Sequence, residues 1–260
     1  MAAFNYKNSV YPIRADLIEA YRGFWSRLAK PGSWWTGEQR IAIAAESRAA
    51  LDCSLCATRK IALSPYAQDD EDEGLHGSDP ATSACLPKLA IDAVHRIITD
   101  QSRITRRYIE SNADEALGDK GLGKGAYVEL VGVVVATFSI DEFHRALDIP
   151  VEPLPQPVAG DITRYQPEHL SDDIGFVPTI PPDGAVGPEA DLWPSGRTAN
   201  VARALTLVPD ALRDWQSIGA AQYLSFKQME NMGQEEGRAL NRMQIEMIAG
   251  RVSSINECFY

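Results

Sequence analysis

Ten of the sixteen prolines lie between residues 150 and 194. Proline fixes φ and carries no backbone N–H, so neither a helix interior nor a central strand runs through a segment this rich in it. Hydrophobic periodicity is also absent there, which predicts an extended linker wrapping over a surface. The chain accordingly divides into residues 1–150, a linker at 151–197, and residues 198–260. On both sides of the linker, apolar residues recur at helical spacing, and no segment shows convincing strand alternation. The expected fold class is all-α.

Leu17, Ile18, Tyr21, Phe24, Trp25 and Leu28 mark a helix over 15–29, ended by Pro31-Gly32. Thr36 followed by Gln39 is a capping-box signature for a helix over 37–50. Residues 64–82 hold the acidic run Asp69-Asp70-Glu71-Asp72-Glu73 and read as a solvated loop. One long helix is expected from Pro87 to Asn112. The most buried helix is expected at 126–147, after the glycine-rich break Gly118–Gly125. Helical pattern returns from Thr198 to Leu207 and from Pro209 to Phe226. It returns again from Asn241, where Gln244 stands three residues on.

The formal net charge is −11, which argues against partners held by a Lys/Arg excess, such as nucleic acid or an anionic membrane. The longest apolar stretch, Val131–Ile140, is about half the length of about 20 residues that a bilayer requires. Residues 1–16 lack the apolar core of a signal peptide, so a cytoplasmic location is expected.

Cys53-Ser54-Leu55-Cys56 is a C-x-x-C motif. In a reducing compartment this spacing points to redox catalysis or metal binding rather than to a structural disulfide. The first residues of a helix favour a thiolate, and the second sulfur is placed to resolve an oxidised intermediate. Asp52 is a candidate cap for such a helix, and Lys60 a candidate positive charge beside Cys56. A zinc set of Cys85 with His76 or His95 is a further arrangement. The second C-x-x-C pair of many zinc sites is missing, and no metal is expected. The plain alternative is two thiols buried beside a core.

Shifting the chain on itself by 205 positions lays Cys258 on Cys53, Gln244 on Gln39 and Asn241 on Thr36. A capped helix thus leads to a cysteine at the same distance in both places, which suggests two copies of one helical unit. In the second place Glu246 stands twelve positions before Cys258 and is a candidate proton shuttle. In one straight helix the two would lie roughly 18 Å apart, so contact requires a break or a neighbouring subunit.

The pattern Glu246-x11-Cys258 resembles the alkylhydroperoxidase D / carboxymuconolactone decarboxylase family, whose motif is E-x11-C-x-x-C-x3-H. The segment Tyr127–Val134 is similar to the family helix that follows the motif. The resemblance implies a duplicated all-α fold with the second copy incomplete, usually oligomeric. It also implies thiol-dependent peroxidase or disulfide reductase chemistry in antioxidant defence, without an organic cofactor. The substrates would be a peroxide and a thiol or dithiol reductant, and a homo-oligomer is expected. Cys53, Cys56, Cys258 and Glu246 are the catalytic residues it implies. The front copy departs from the pattern, with Ile41 in the glutamate position and Lys60 in the histidine position. Glu46, seven residues before Cys53, is the candidate substitute, and His95 and His144 are candidates to approach from later helices. The motif leads one to expect cysteine or selenocysteine immediately after Tyr260, with UGA as the codon for the latter. Two other readings stand beside this one: a non-catalytic helical scaffold or pseudoenzyme, and a cofactor-free lyase of the carboxymuconolactone type. The dithiol argues against the lyase.

Overall fold

The computed structural model describes residues 3–7, 9–61, 76, 80–193, 196, 198–229, 238–256 and 258. Among these residues the fold is all-helical. The one β-type pairing is an isolated antiparallel bridge between Ser171 and Thr179. The acidic run 69–73 lies outside the described residues.

Helix α1 (Ala15–Leu28) buries Leu17, Tyr21, Phe24, Trp25 and Leu28, the stripe that its spacing predicts. Helix α2 (Gly37–Ala49) opens on a complete capping box between Thr36 and Gln39. A 3-10 turn, Ala50–Asp52, follows, and then the short helix α3 (Ser54–Ile61). Helix α4 (Pro80–Cys85) leads to α5 (Lys88–Thr99) and α6 (Arg106–Asn112). The single helix expected from Pro87 to Asn112 is therefore broken. Asp100 is extended at φ −158°, and Thr105 leaves the helical region to cap α6, accepting from the Tyr108 N–H at 3.1 Å. Local side-chain capping outcompetes helix propagation at that point.

Helix α7 (Lys124–Ala146) runs through the middle, packed by α2, α5, α9 and α1. It buries Tyr127, Val128, Leu130, Val133, Val134, Ala136 and Ile140. Beyond the proline-rich segment come α8 (Asn200–Arg203), α9 (Pro209–Gln222), α10 (Phe226–Met229) and α11 (Arg242–Ile255). Helix α9 lies against α1 and α7, and Leu207, Val208, Ala211, Ile218 and Ala221 join the same apolar core as α1, α2, α5 and α7. Helix α11 repeats the capping box of α2, with Asn241 and Gln244, yet buries none of its residues. No helix among the described residues is long and apolar enough to cross a membrane.

The proline-rich segment is tied to the helices by main-chain bonds. Val158 donates to the Ala29 carbonyl at 2.7 Å, and Arg164 to that of Ser33 at 2.8 Å. The Trp25 indole N–H donates to the Pro153 carbonyl at 2.9 Å. Ile180, Leu192, Trp193 and Leu212 form a second, smaller apolar cluster beneath its far end.

The crossing of α7 and α9 depends on a residue without a side chain. A Cβ on Gly132 would stand 2.6 Å from the Ala211 Cβ, closer than carbon atoms pack. Gly132→Val is expected to destabilise the fold by about 1–3 kcal/mol through overpacking. Thermal unfolding would show a lower midpoint, and an unchanged midpoint would contradict this packing.

Ion pairs hold α2 against α7. Arg48 makes a two-pronged contact with Asp141, at 2.7 and 2.8 Å, and Arg40 pairs with the buried Glu129. These contacts fix the position of Glu46, which lies on α2 between Arg40 and Arg48 and faces α5.

Candidate functional site

Cys53 is the first residue of the site. Its backbone is extended (φ −74°, ψ 116°), while its carbonyl accepts the first α3 bond from the Ala57 N–H at 3.0 Å. Cys53 is therefore itself the helix cap. Asp52, the expected cap, ends the preceding 3-10 turn and is exposed. Cys56 lies in the first turn of α3, where unpaired N–H groups favour an anion. Lys60, the expected positive charge, is exposed, and its neighbour Arg59 is the buried cation.

Helix α5 supplies the facing residues. Asp92, His95, Arg96 and Thr99 recur at spacings of three and four and so share one polar stripe on an otherwise apolar helix. His95 Nδ1 lies 3.2 Å from Cys56 Sγ, and His95 Nε2 lies 2.7 Å from Glu46 Oε1. The second oxygen of Glu46 accepts from the Thr82 hydroxyl at 2.5 Å. Glu46 thus reaches the Cys56 thiol through His95. With the carboxylate on Nε2, that nitrogen carries a ring proton, and Nδ1 is the nitrogen that exchanges a proton with the sulfur, accepting it from the thiol and donating to the thiolate once the ring is protonated.

His76 completes the cluster. Its Nδ1 lies 3.6 Å from both Cys53 Sγ and Cys56 Sγ, and its Nε2 lies 3.1 Å from Asp92 Oδ1. The two imidazole rings lie close and tilted, their centroids 4.1 Å apart and their planes at 37°. Asp92 is fully buried and accepts from Arg59 at 3.0 Å, Arg96 at 2.6 Å and the Tyr108 hydroxyl at 2.9 Å. Arg103 donates to the Arg59 carbonyl at 2.6 Å, fastening the far end of α3.

The electrostatics follow from these contacts. Burial opposes ionisation of Cys56, but bonds from His76, His95 and Thr99 outweigh it and hold the thiol below its ordinary range. Burial likewise opposes protonation of both histidines. The Asp92 and cysteine contacts of His76, and the Cys56 and Glu46 contacts of His95, turn both shifts upward. The resting arrangement is a thiolate beside protonated imidazole, backed by two carboxylates. Cys53 and Cys56 are 5% and 2% exposed, so only a small reactant reaches the sulfurs without some opening.

The remaining sequence candidates lie apart from this cluster. Glu246 is exposed on α11, where it accepts from the Tyr223 hydroxyl and pairs with Arg242 at 3.3 Å. Helix α11 continues unbroken to Ile255, so Glu246 stays about 13 Å along the axis from the helix end that precedes Cys258. Cys258 is exposed. Cys85 is half-buried on α4, its thiol raised by burial and by Glu38, and it is not in the donor cluster. His144 is bonded to the Tyr6 hydroxyl at 2.6 Å and the Pro150 carbonyl at 2.9 Å, well outside the site.

Comparison with protein-family models, with curated proteins and with solved structures finds no match to this chain.

Proposed function

We propose that Cys53 and Cys56 are the dithiol redox centre of a thiol-dependent peroxidase or disulfide oxidoreductase, with the alkylhydroperoxidase D-like helical fold and oligomeric habit that the motifs suggest. The observation that carries the reading is the relay Cys56–His95–Glu46, with contacts of 3.2 and 2.7 Å. A nucleophile next to a base, with the base oriented by a third group, is the arrangement that activates a thiol.

The chemistry runs in two steps. The Cys56 thiolate attacks the outer oxygen of a hydroperoxide, the O–O bond breaks, and His95 protonates the departing alkoxide. The products are an alcohol and Cys56 sulfenic acid. The Cys53 sulfur then attacks the sulfenic sulfur, water leaves, and a disulfide closes across the two intervening residues. An external dithiol reduces that disulfide by exchange, taking two electrons' worth of oxidation onto its own sulfurs.

Hydroperoxide consumption in the presence of a small dithiol tests the reading. Cys56→Ser is expected to lower turnover by at least about 10³-fold. Cys53→Ser is expected to accumulate sulfenic acid on Cys56, trapped by a carbon-acid probe and located by mass spectrometry. Turnover that persists in Cys56→Ser sinks the reading.

A further inference from the structure

The dithiol relay leaves one buried group unused. His76 has no part in passing a proton between Cys56 and Glu46, yet its Nδ1 is aimed at both sulfurs. We propose that Cys53, Cys56, His76 and His95 together bind a thiophilic divalent metal ion, zinc by preference, in a closed tetrahedral site.

The donor geometry carries the proposal. The four ligand atoms, two Sγ and two Nδ1, all lie within 4.8 Å of one another. Zinc binds thiolate at about 2.3 Å and imidazole at about 2.0–2.1 Å, so a tetrahedral ion requires sulfur–nitrogen separations of about 3.6 Å. The three sulfur–nitrogen contacts here are 3.2, 3.6 and 3.6 Å. These three separations need adjustments of a few tenths of an ångström at most, and the remaining ones, all within 4.8 Å, close around an ion placed between the four atoms.

The surroundings of the donors are an independent second observation. Each histidine turns Nδ1 to the sulfurs and Nε2 to a carboxylate, His76 to Asp92 and His95 to Glu46. A carboxylate on the remote nitrogen fixes tautomer and ring orientation and makes the ligating nitrogen more basic, as metal-bound histidines require. That both rings carry it, and that both carboxylates are fully buried, is more than one proton relay needs. Two thiolates and two imidazoles select zinc, or another soft ion, over magnesium or calcium. All four ligands come from the protein, which leaves no open position for a reacting water and makes the ion a clamp.

A consequence for regulation rests on the dithiol reading above. Metal and disulfide exclude each other, because the electron pairs that bind the ion are those a disulfide consumes. Oxidation of the loaded site balances as two metal-bound thiolates, one hydroperoxide and two protons giving a disulfide, an alcohol, water and the free ion. The loaded form is then the protected reduced state, and the metal-free form the reactive one.

Metal binding is measured on the full-length protein with zinc and cobalt salts. One ion per chain is expected, with the visible and thiolate charge-transfer absorption of tetrahedral cobalt. His76→Ala and Cys53→Ser are expected to lose stoichiometric binding, and Cys85→Ser to keep it. Saturating zinc should protect Cys53 and Cys56 from alkylation in the unaltered protein, mapped by mass spectrometry, a readout that needs no variant to fold. Failure to take up either ion, an adventitious ion held equally well by Cys53→Ser, or alkylation of both cysteines unslowed by zinc each overturns the site. Peroxide turnover is measured separately on chelator-stripped protein. Turnover without metal binding leaves the dithiol reading and removes this one, and metal binding without turnover in the stripped protein does the reverse.

Discussion

Asp92→Ala is expected to cost about 3–5 kcal/mol of folding stability, the range for removing one partner from a buried charged group. Asp92 is fully buried and gathers Arg59, Arg96, His76 and Tyr108 onto two oxygens. Deleting it leaves two buried guanidinium groups without their shared anion. It also loosens α3 from α5, because the Arg59–Asp92 ion pair is one of the side-chain ties between them, beside the Cys56–His95 contact. The check is urea unfolding, in which the midpoint should fall at an unchanged slope. A loss under about 1 kcal/mol would mean that water takes over the role of Asp92, and that the cluster is not the anchor described.

Glu46→Gln is expected to leave the fold in place and lower hydroperoxide turnover by about 10²–10⁴-fold, the scale of a misdirected acid–base partner. The amide of glutamine still accepts from Thr82, so the packing between α2 and α4 survives. Facing His95 Nε2, however, the amide N–H₂ donates where the carboxylate accepted. Nε2 must then accept, so the ring is held neutral with its proton on Nδ1, and the imidazolium that pairs with the Cys56 thiolate and protonates the departing alkoxide is lost. The loss belongs in kcat with KM little changed, since Glu46 is two groups away from the reacting oxygen. An equal loss in KM, or a large fall in the unfolding midpoint, would show that Glu46 is structural and would remove it from the relay.

The helices were legible in the sequence to the extent that they bury apolar stripes or carry caps. The apolar spacing of α1 and the Thr36–Gln39 box of α2 both correspond to elements that begin where the pattern places them. The break between α5 and α6 was not legible, because the apolar period continues through it while Asp100 turns extended and the Thr105 hydroxyl caps a new helix. For the site, C-x-x-C and Glu46 could be named from the chain alone. His76 could be named only beside Cys85 in a zinc set, not beside the C-x-x-C sulfurs, since it lies in a stretch whose composition reads as solvated loop and its contacts are to residues 16 to 23 positions away. A further signal lies in the sequence of α5. Asp92, His95, Arg96 and Thr99 form a polar stripe at helical spacing inside an apolar helix, and such a stripe can be buried only if its members find partners. For Glu246 and Cys258 the sequence already implied that contact needs a helix break or a neighbouring subunit, and α11 runs unbroken to Ile255.

The contacts that define the sulfur cluster join residues 20, 39 and 49 positions apart in the chain. None of them forms within α3, whose eight residues are too few to hold a helix in water by themselves. A fragment carrying Cys53 and Cys56 would inherit the two sulfurs and none of their chemistry. Its thiols would titrate and oxidise like those of any unfolded peptide. The reactivity of this pair is therefore a property conferred by assembly, and it serves as a chemical record of whether α2, α3 and α5 have come together.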